Sequence, residues 1–298
     1  MRAAVLQHID SAIGVADDRA SRVDFEHRAR DVRDRDHIAD AVLVLDEDEC
    51  AVDDIAHERL GTKADRDAVA LGLVVENFIP GREYALEGLL QDGRLRVLAL
   101  FDKPDPLDGP YFEETLYLTP SRLEPQQQQA ITLAVQRACE LVGLASGPIH
   151  AEMRANAHGI WLLEIAARTI GGLCGRVLRQ ALGMSLEELI LRQALNLPIP
   201  GMARGGANGV MMIPIAQGGI FQGVRGLERA RAVAGISDIQ ISASPGQLIA
   251  APPEGSSYLG FIFAQGVSPG AVESSLRGAH ALLEFDVLPA VPLGEARP

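Results

Sequence analysis

Apolar runs punctuated by polar and turn residues mark a succession of strands through much of residues 71–118. LGLVVENFI (71–79) reads as a strand, Pro80-Gly81 as a turn and EYALEGLL (83–90) as a second strand. Gln91-Asp92-Gly93 has hairpin-turn chemistry, and RLRVLALFD (94–102) reads as a third strand. A proline-rich loop, KPDPLDGP (103–110), precedes EETLYL (113–118), which alternates like a strand. The period becomes helical in EPQQQQAITLAVQRACELVG (124–143), with Pro125 in the first turn and Gly143 as the stop. Residues 150–166 return to alternation around a polar turn at 156–159, which predicts a β-hairpin. A Gly-rich turn (171–175) leads to RVLRQAL and then to SLEELILRQAL, capped by Ser185 with Glu188 three residues on. LPIPG (197–201) marks a boundary. Residues 207–298 then read as a small α+β unit: strands GVMMIPI, DIQISA and SYLGFIFA, helix AVESSLRGAHALLE, and FDVL.

The hairpin raises a chemical question. Its period places Ala151, Met153, Trp161, Leu163 and Ile165 on the buried face. The other face takes His150, Glu152 and Arg154 from one strand and Leu162, Glu164, Ala166 and Arg168 from the other. With the turn centred on His158, Glu152 lies opposite Glu164, where Cβ atoms are about 5 Å apart. Like charges at that distance repel unless something positive joins them. A divalent cation does so, and Mg²⁺ is held by one or two carboxylates with phosphates and water. Pairing of Glu152 with Arg154 or Arg168 does so as well.

Composition narrows the function classes. Net charge is −13 over 298 residues, which argues against general binding to nucleic acid or anionic membrane. Cys50, Cys139 and Cys174 are scattered and lack zinc-site spacing, so a reducing compartment is expected. No apolar run reaches the roughly 20 residues of a bilayer span, and the N-terminus has no basic-then-apolar pattern, so the expected location is cytoplasmic. Residues 1–70 differ from the rest. They carry 18 acidic and 10 basic residues, no proline, and only Gly14 and Gly61 of the 30 glycines. Apart from AVLVL (41–45) as a strand and IAHERL (55–60) as a helical turn, they show no clean period. Such a mix arises when GC-rich DNA is read in a wrong frame, or when an N-terminal part is replaced. The expected organisation is a poorly defined segment over 1–70, a catalytic portion over 71–200 and a C-terminal domain over 201–298.

Strand, loop, helix and acidic hairpin in this order resemble the ATP-grasp superfamily, and GVMMIPIAQGGIFQGV and YLGFIFAQG resemble its L-amino-acid-ligase branch of carboxylate–amine ligases. The resemblance covers roughly residues 71–298. It implies an α+β fold, with an antiparallel sheet and flanking helices followed by a small C-terminal α+β domain. It implies an ATP- and Mg²⁺-dependent enzyme that makes an acyl phosphate, which an amine attacks; the partners would be amino acids, and the assembly a homodimer. VENFIPGRE (75–83) matches the nucleotide strand: Glu76 with Asn77 and Phe78 at the adenine edge, and Glu83 at the ribose hydroxyls. Glu152 and Glu164 match the metal-bridging acids. Arg168 matches an arginine at the transferred phosphoryl group, and Gly171-Gly172 a close backbone approach to substrate. Glu114 and Tyr117 fall where the branch places substrate-facing residues.

Two departures stand out. Ala166 occupies a position where many relatives have a metal-ligating Asn, which leaves the metal count open. The family's Gly/Ser-rich loop and lysines for the ATP phosphates have no counterpart before residue 71. The chain's two lysines are Lys63, in the charge-dense segment, and Lys103, in the proline-rich loop. The expectation is a ligase by descent whose phosphate grip is missing. A biotin-carboxylase-like enzyme and a non-catalytic nucleotide- or partner-binding relic are the alternatives.

Overall fold

A computed structural model of the chain describes residues 42–44, 74–76, 78–107, 112–199, 205–255 and 257–289. The chain divides into two units, Met1–Gly81 and Arg82–Pro298. In the first, β1 (Val42–Val44) pairs in parallel with β2 (Val74–Glu76), Val42 opposite Val74. These strands fall inside the AVLVL and LGLVVENFI runs. The IAHERL turn and Asn77 lie outside the described residues.

The second unit is built on β3 (Arg82–Gln91), β4 (Arg94–Asp102), β5 (Leu116–Thr119), β6 (Gly147–Asn156), β7 (Gly159–Ala166), β8 (Ala207–Ile213), β9 (Gly219–Arg225), β10 (Ile236–Ile241), β11 (Leu248–Ile249), β12 (Gly260–Gly266) and β13 (Glu284–Leu288). Eight strands form an antiparallel sheet in the order β10-β12-β8-β5-β4-β3-β6-β7, and β11-β9-β13 form a smaller one. The helices are α1 (Pro125–Val142), α2 (Cys174–Leu182), α3 (Leu186–Ala194), α4 (Leu227–Arg231) and α5 (Pro269–His280). This is the antiparallel sheet with flanking helices that the resemblance implies. Among the described residues no helix is long and apolar enough to cross a membrane.

Alternation along the strands decides which helix covers which face. Tyr84, Leu86 and Leu90 of β3 join Ile149, Ala151 and Met153 of β6 under Ile131, Val135 and Cys139 of α1. Ala85 and Leu89 point the other way, with Phe101, and meet Val177 and Leu178 of α2 and Leu189 of α3. Val272, Leu276 and Ala279 of α5 cover Leu116 and Leu118 of β5. Each such aliphatic side chain contributes about 1.5–3 kcal/mol on burial, so the sheet is well fixed where the polar residues must sit.

The expected hairpin is present, and Glu152 stands opposite Glu164. Its expected buried face needs one correction. The register shifts after Glu152, and Leu163 is the extra residue of a bulge; Met153 therefore faces Leu162, and Arg154 faces Trp161. Ile160, Leu162 and Ile165 pack on the α1 core, while Trp161 and Leu163 do not. The ladder of β5 also starts later than EETLYL suggests, so Glu114 lies just before it. The Gly-rich β9, the two-residue β11 and α4 carry too weak a period to be foreseen.

Candidate active site

On β3, Glu83 and Glu87 share the face of Ala85, and both are buried. β6 answers them with bases at the opposed positions: Arg154 stands across from Glu83 and His150 across from Glu87. Arg154 Nε donates to Glu83 Oε2 at 3.1 Å, and its Nη2 donates to the Leu107 carbonyl. His150 Nδ1 lies 3.5 Å from Glu87 Oε2, and its Nε2 lies 3.3 Å from Glu152 Oε1. Glu87 Oε2 also accepts from the Ile170 amide at 3.1 Å, which ties β3 to the loop after β7.

Lys103 lies at the centre. Its side chain is 3% exposed, and its ammonium donates to Glu83 at 2.7 Å, Glu114 at 2.5 Å and Glu152 at 2.8 Å. Carboxylate oxygens of the three glutamates lie within 4.8 Å of one another, a spacing that needs a cation among them. Tyr117 completes the group: its ring centroid lies 5.0 Å from the ammonium, and its hydroxyl donates to Glu114 Oε1 at 2.6 Å. The proline-rich composition around Lys103 marks it only as a loop residue and gives it no place in the site. A signal was available: continuing the alternation of β4 past Asp102 puts 103 on the same face as Ala99 and Phe101, which is the site face.

The electrostatics follow from burial with pairing. Burial works against the Lys103 cation, yet Glu152, Glu114 and Glu83 together hold its pKa well above the usual lysine value. Burial would raise the pKa of Glu152; the His150 hydrogen bond and the Lys103 charge outweigh that and hold it far below the carboxylate range. Burial likewise opposes charge on His150, but the hydrogen bond to Glu152 and the facing Glu87 carboxylate push its pKa up to about 9. Glu114 and Glu87 are raised, in each case chiefly by burial.

A cavity of about 200 Å³ opens beside this cluster, lined by Glu114, Tyr117, His150, Glu152, Glu164, Arg168, Gly171, Gly172 and Met212 with Ile170 and Cys174. Of the site residues expected from the sequence, it gathers Glu114, Tyr117, Glu152, Glu164, Arg168 and Gly171 around one space. Glu83 lies behind Lys103, outside the lining. Glu164 is half exposed and paired with Arg168 at 3.1 Å, so the chain relieves the opposed-glutamate repulsion with its own cations, one side through Arg168 and the other through Lys103 and His150. Gly172, not Gly171, is the glycine that the backbone demands: its φ is +58°, and a Cβ there would meet Met212 Sδ at 2.7 Å, while Gly171 faces open space. The side chains of Glu76 and Asn77 are outside the described residues, and Phe78 is exposed.

Residues 42–177 match the ATP-grasp domain family, and residues 211–288 match L-amino acid ligase C-terminal domain 2. The crystal structure of L-amino acid ligase from Bacillus licheniformis shares the fold with a TM-score of 0.65 at 28% identity, over 72% of this chain and 53% of that one. Human carnosine synthase 1 is 28% identical over 159 residues, 51% of this chain and 19% of its own length. Alanine–anticapsin ligase of Bacillus subtilis is 30% identical over 110 residues, 36% of this chain and 22% of its own. The chain thus spans about half of the solved ligase and about a fifth of each of these two curated relatives.

Proposed function

The chain carries an ATP-grasp domain joined to an L-amino acid ligase C-terminal domain, and from that premise we propose that it is a carboxylate–amine ligase acting on amino acids through an acyl phosphate. In this reading a substrate carboxylate oxygen attacks the γ-phosphorus of ATP, and ADP leaves. The amine then attacks the acyl carbon and loses a proton, phosphate departs, and an amide remains. The observation that supports it best is the cavity where Glu152, Glu164 and Arg168 meet Glu114 and Tyr117.

The donor set fits Mg²⁺: Glu152 and Glu164 are hard oxygen donors on adjacent strands, and both open to one cavity. Bound there, the ion would screen the charge of the transferring phosphoryl group. Arg168 is exposed beside Glu164 and supplies a guanidinium to the same oxygens. Lys103 acts one step back: its buried ammonium spends its donors on Glu83, Glu114 and Glu152 and holds those carboxylates together beside the cavity. Glu83 has the ribose role by resemblance only, since its buried carboxylate is engaged by Lys103 and Arg154. Glu76, Asn77 and Phe78 retain the adenine-edge role. Glu114 and Tyr117 orient the substrate, and Gly171 gives it backbone access.

The test is ADP release over a panel of amino-acid pairs with Mg-ATP, alongside calorimetric titration of Mg-ATP. Release that requires an amino acid and disappears in a folded Glu152→Gln variant is the expected result. Release driven by bicarbonate alone would move the protein to the carboxylase-like alternative. Absence of both turnover and Mg-ATP binding by folded protein would leave the relic reading. The C-terminal ligase-type domain favours amino acids over bicarbonate.

A further inference from the structure

Lys103 is held a second time, through its backbone neighbours, by charges that the ligase chemistry does not use. Asp102 and Asp105 bracket it. Asp102 accepts from Arg122 Nε at 2.7 Å and from Ser121 Oγ at 2.6 Å. Asp105 accepts from Arg277 Nη2 at 2.5 Å and from the Thr115 hydroxyl. Glu273 joins the two sides, accepting from Arg122 Nη1 at 2.8 Å and from Arg277 Nη2 at 2.9 Å. The result is an alternating chain of Asp102, Arg122, Glu273, Arg277 and Asp105 around the loop. It ends on Thr115, next to Glu114, one of the three partners of Lys103.

Glu273 and Arg277 are four residues apart on α5 and so lie on one face of it. That helix is already anchored by Val272, Leu276 and Ala279. The polar pair is therefore not needed to hold α5 in place, whereas among the described residues of the loop that carries Lys103, 103–107, Leu107 is the one buried apolar side chain. We propose that Glu273 and Arg277 are positioning residues: they lock the 102–105 loop so that the Lys103 ammonium stays among Glu83, Glu114 and Glu152. The C-terminal domain then takes part in the site through a helix that never reaches the cavity. The inference rests on the reading that Lys103 serves the ligase site, although the placement of Lys103 is measurable without turnover.

Lys103 is one of only two lysines in the chain, so its acylation by an acetyl N-hydroxysuccinimide ester is readable by peptide mass spectrometry. Rates are normalised to the same peptide labelled in denaturant. In the wild type Lys103 is protected. Arg277→Ala raises its labelling about tenfold, as expected when local opening becomes easier. Arg277→Lys restores most of the protection, and Glu273→Gln gives an intermediate rate. Arg225→Ala, which breaks an unrelated surface pair with Glu284, leaves labelling unchanged. Where the wild type turns over, Arg277→Ala lowers kcat and leaves the amino-acid KM little changed, and Arg277→Lys recovers it. Lys103 labelling that stays at the wild-type rate in folded Arg277→Ala and Glu273→Gln overturns the proposal. Labelling that responds in a folded protein with neither turnover nor Mg-ATP binding overturns the ligase reading and leaves the positioning role standing.

Discussion

His150 shows how one buried side chain sets both a pH-dependent stability and the charge of its neighbour. It is nearly fully buried between Glu87 and Glu152, and its pKa is pushed up to about 9. A group whose folded pKa lies above its unfolded value of about 6.5 stabilises the fold fully below that value. The contribution is lost as pH rises through about 9. The size of the displacement implies roughly 3 kcal/mol. Urea midpoints should therefore fall between about pH 6.5 and 9.5, and His150→Gln should flatten that decline whatever it does to the midpoint at the acid end. A wild-type profile that is level across this range would contradict the buried imidazolium. Glu152 profits from the same proton: the charged histidine and Lys103 keep it ionised, which is the state in which a carboxylate can hold a cation.

The element that sets the cavity floor is the turn between β7 and α2. Its glycine pair is legible as a close-approach signal, but the sequence cannot say which glycine matters. Gly172 has φ +58° with Met212 pressed against it, and Gly171 has neither constraint. Gly172→Ala should cost about 1–2 kcal/mol through the left-handed backbone and the crowded thioether, while Gly171→Ala should stay within about 0.5 kcal/mol. Thermal melts of the two variants decide this, and equal midpoints would refute the assignment. The hairpin before it divides along the same line. Glu152 opposite Glu164 can be read from a period of two about a polar turn, because register there follows from counting. The orientation of Trp161 and Leu163 cannot, since a one-residue bulge reverses every side chain beyond it. Lys103 is hidden for another reason. Pro104 and Pro106 make its segment look like a loop, and its three glutamate partners come from positions 20, 11 and 49 residues away.

At the scale of the whole second unit, the sheet runs without a break from the acidic hairpin into the C-terminal strands. The join is β5 against β8, with Leu118 opposite Gly209. Gly209 is required there by contact: a Cβ would stand 2.6 Å from Leu118 Cδ2, 2.9 Å from Val272 Cγ1 and 3.0 Å from the Tyr117 carbonyl. One side chain at 209 thus pushes on β5 and α5 together, and the backbone oxygen cannot move aside without disturbing the ladder. Such overpacking costs about 1–3 kcal/mol. The lone tryptophan of the chain, Trp161, lies on β7 at the far end of the strand order. If residues 82–298 unfold as one cooperative body, Gly209→Ala lowers the midpoint of the Trp161 fluorescence transition, although no strand next to β7 has been touched. If the C-terminal strands form an independent body, that transition stays where it was, and only the ellipticity shifts. The first outcome makes the Lys103–glutamate cluster and the C-terminal strands inseparable in stability. It would then be expected that charges on α5 can reach Lys103 through the loop they hold.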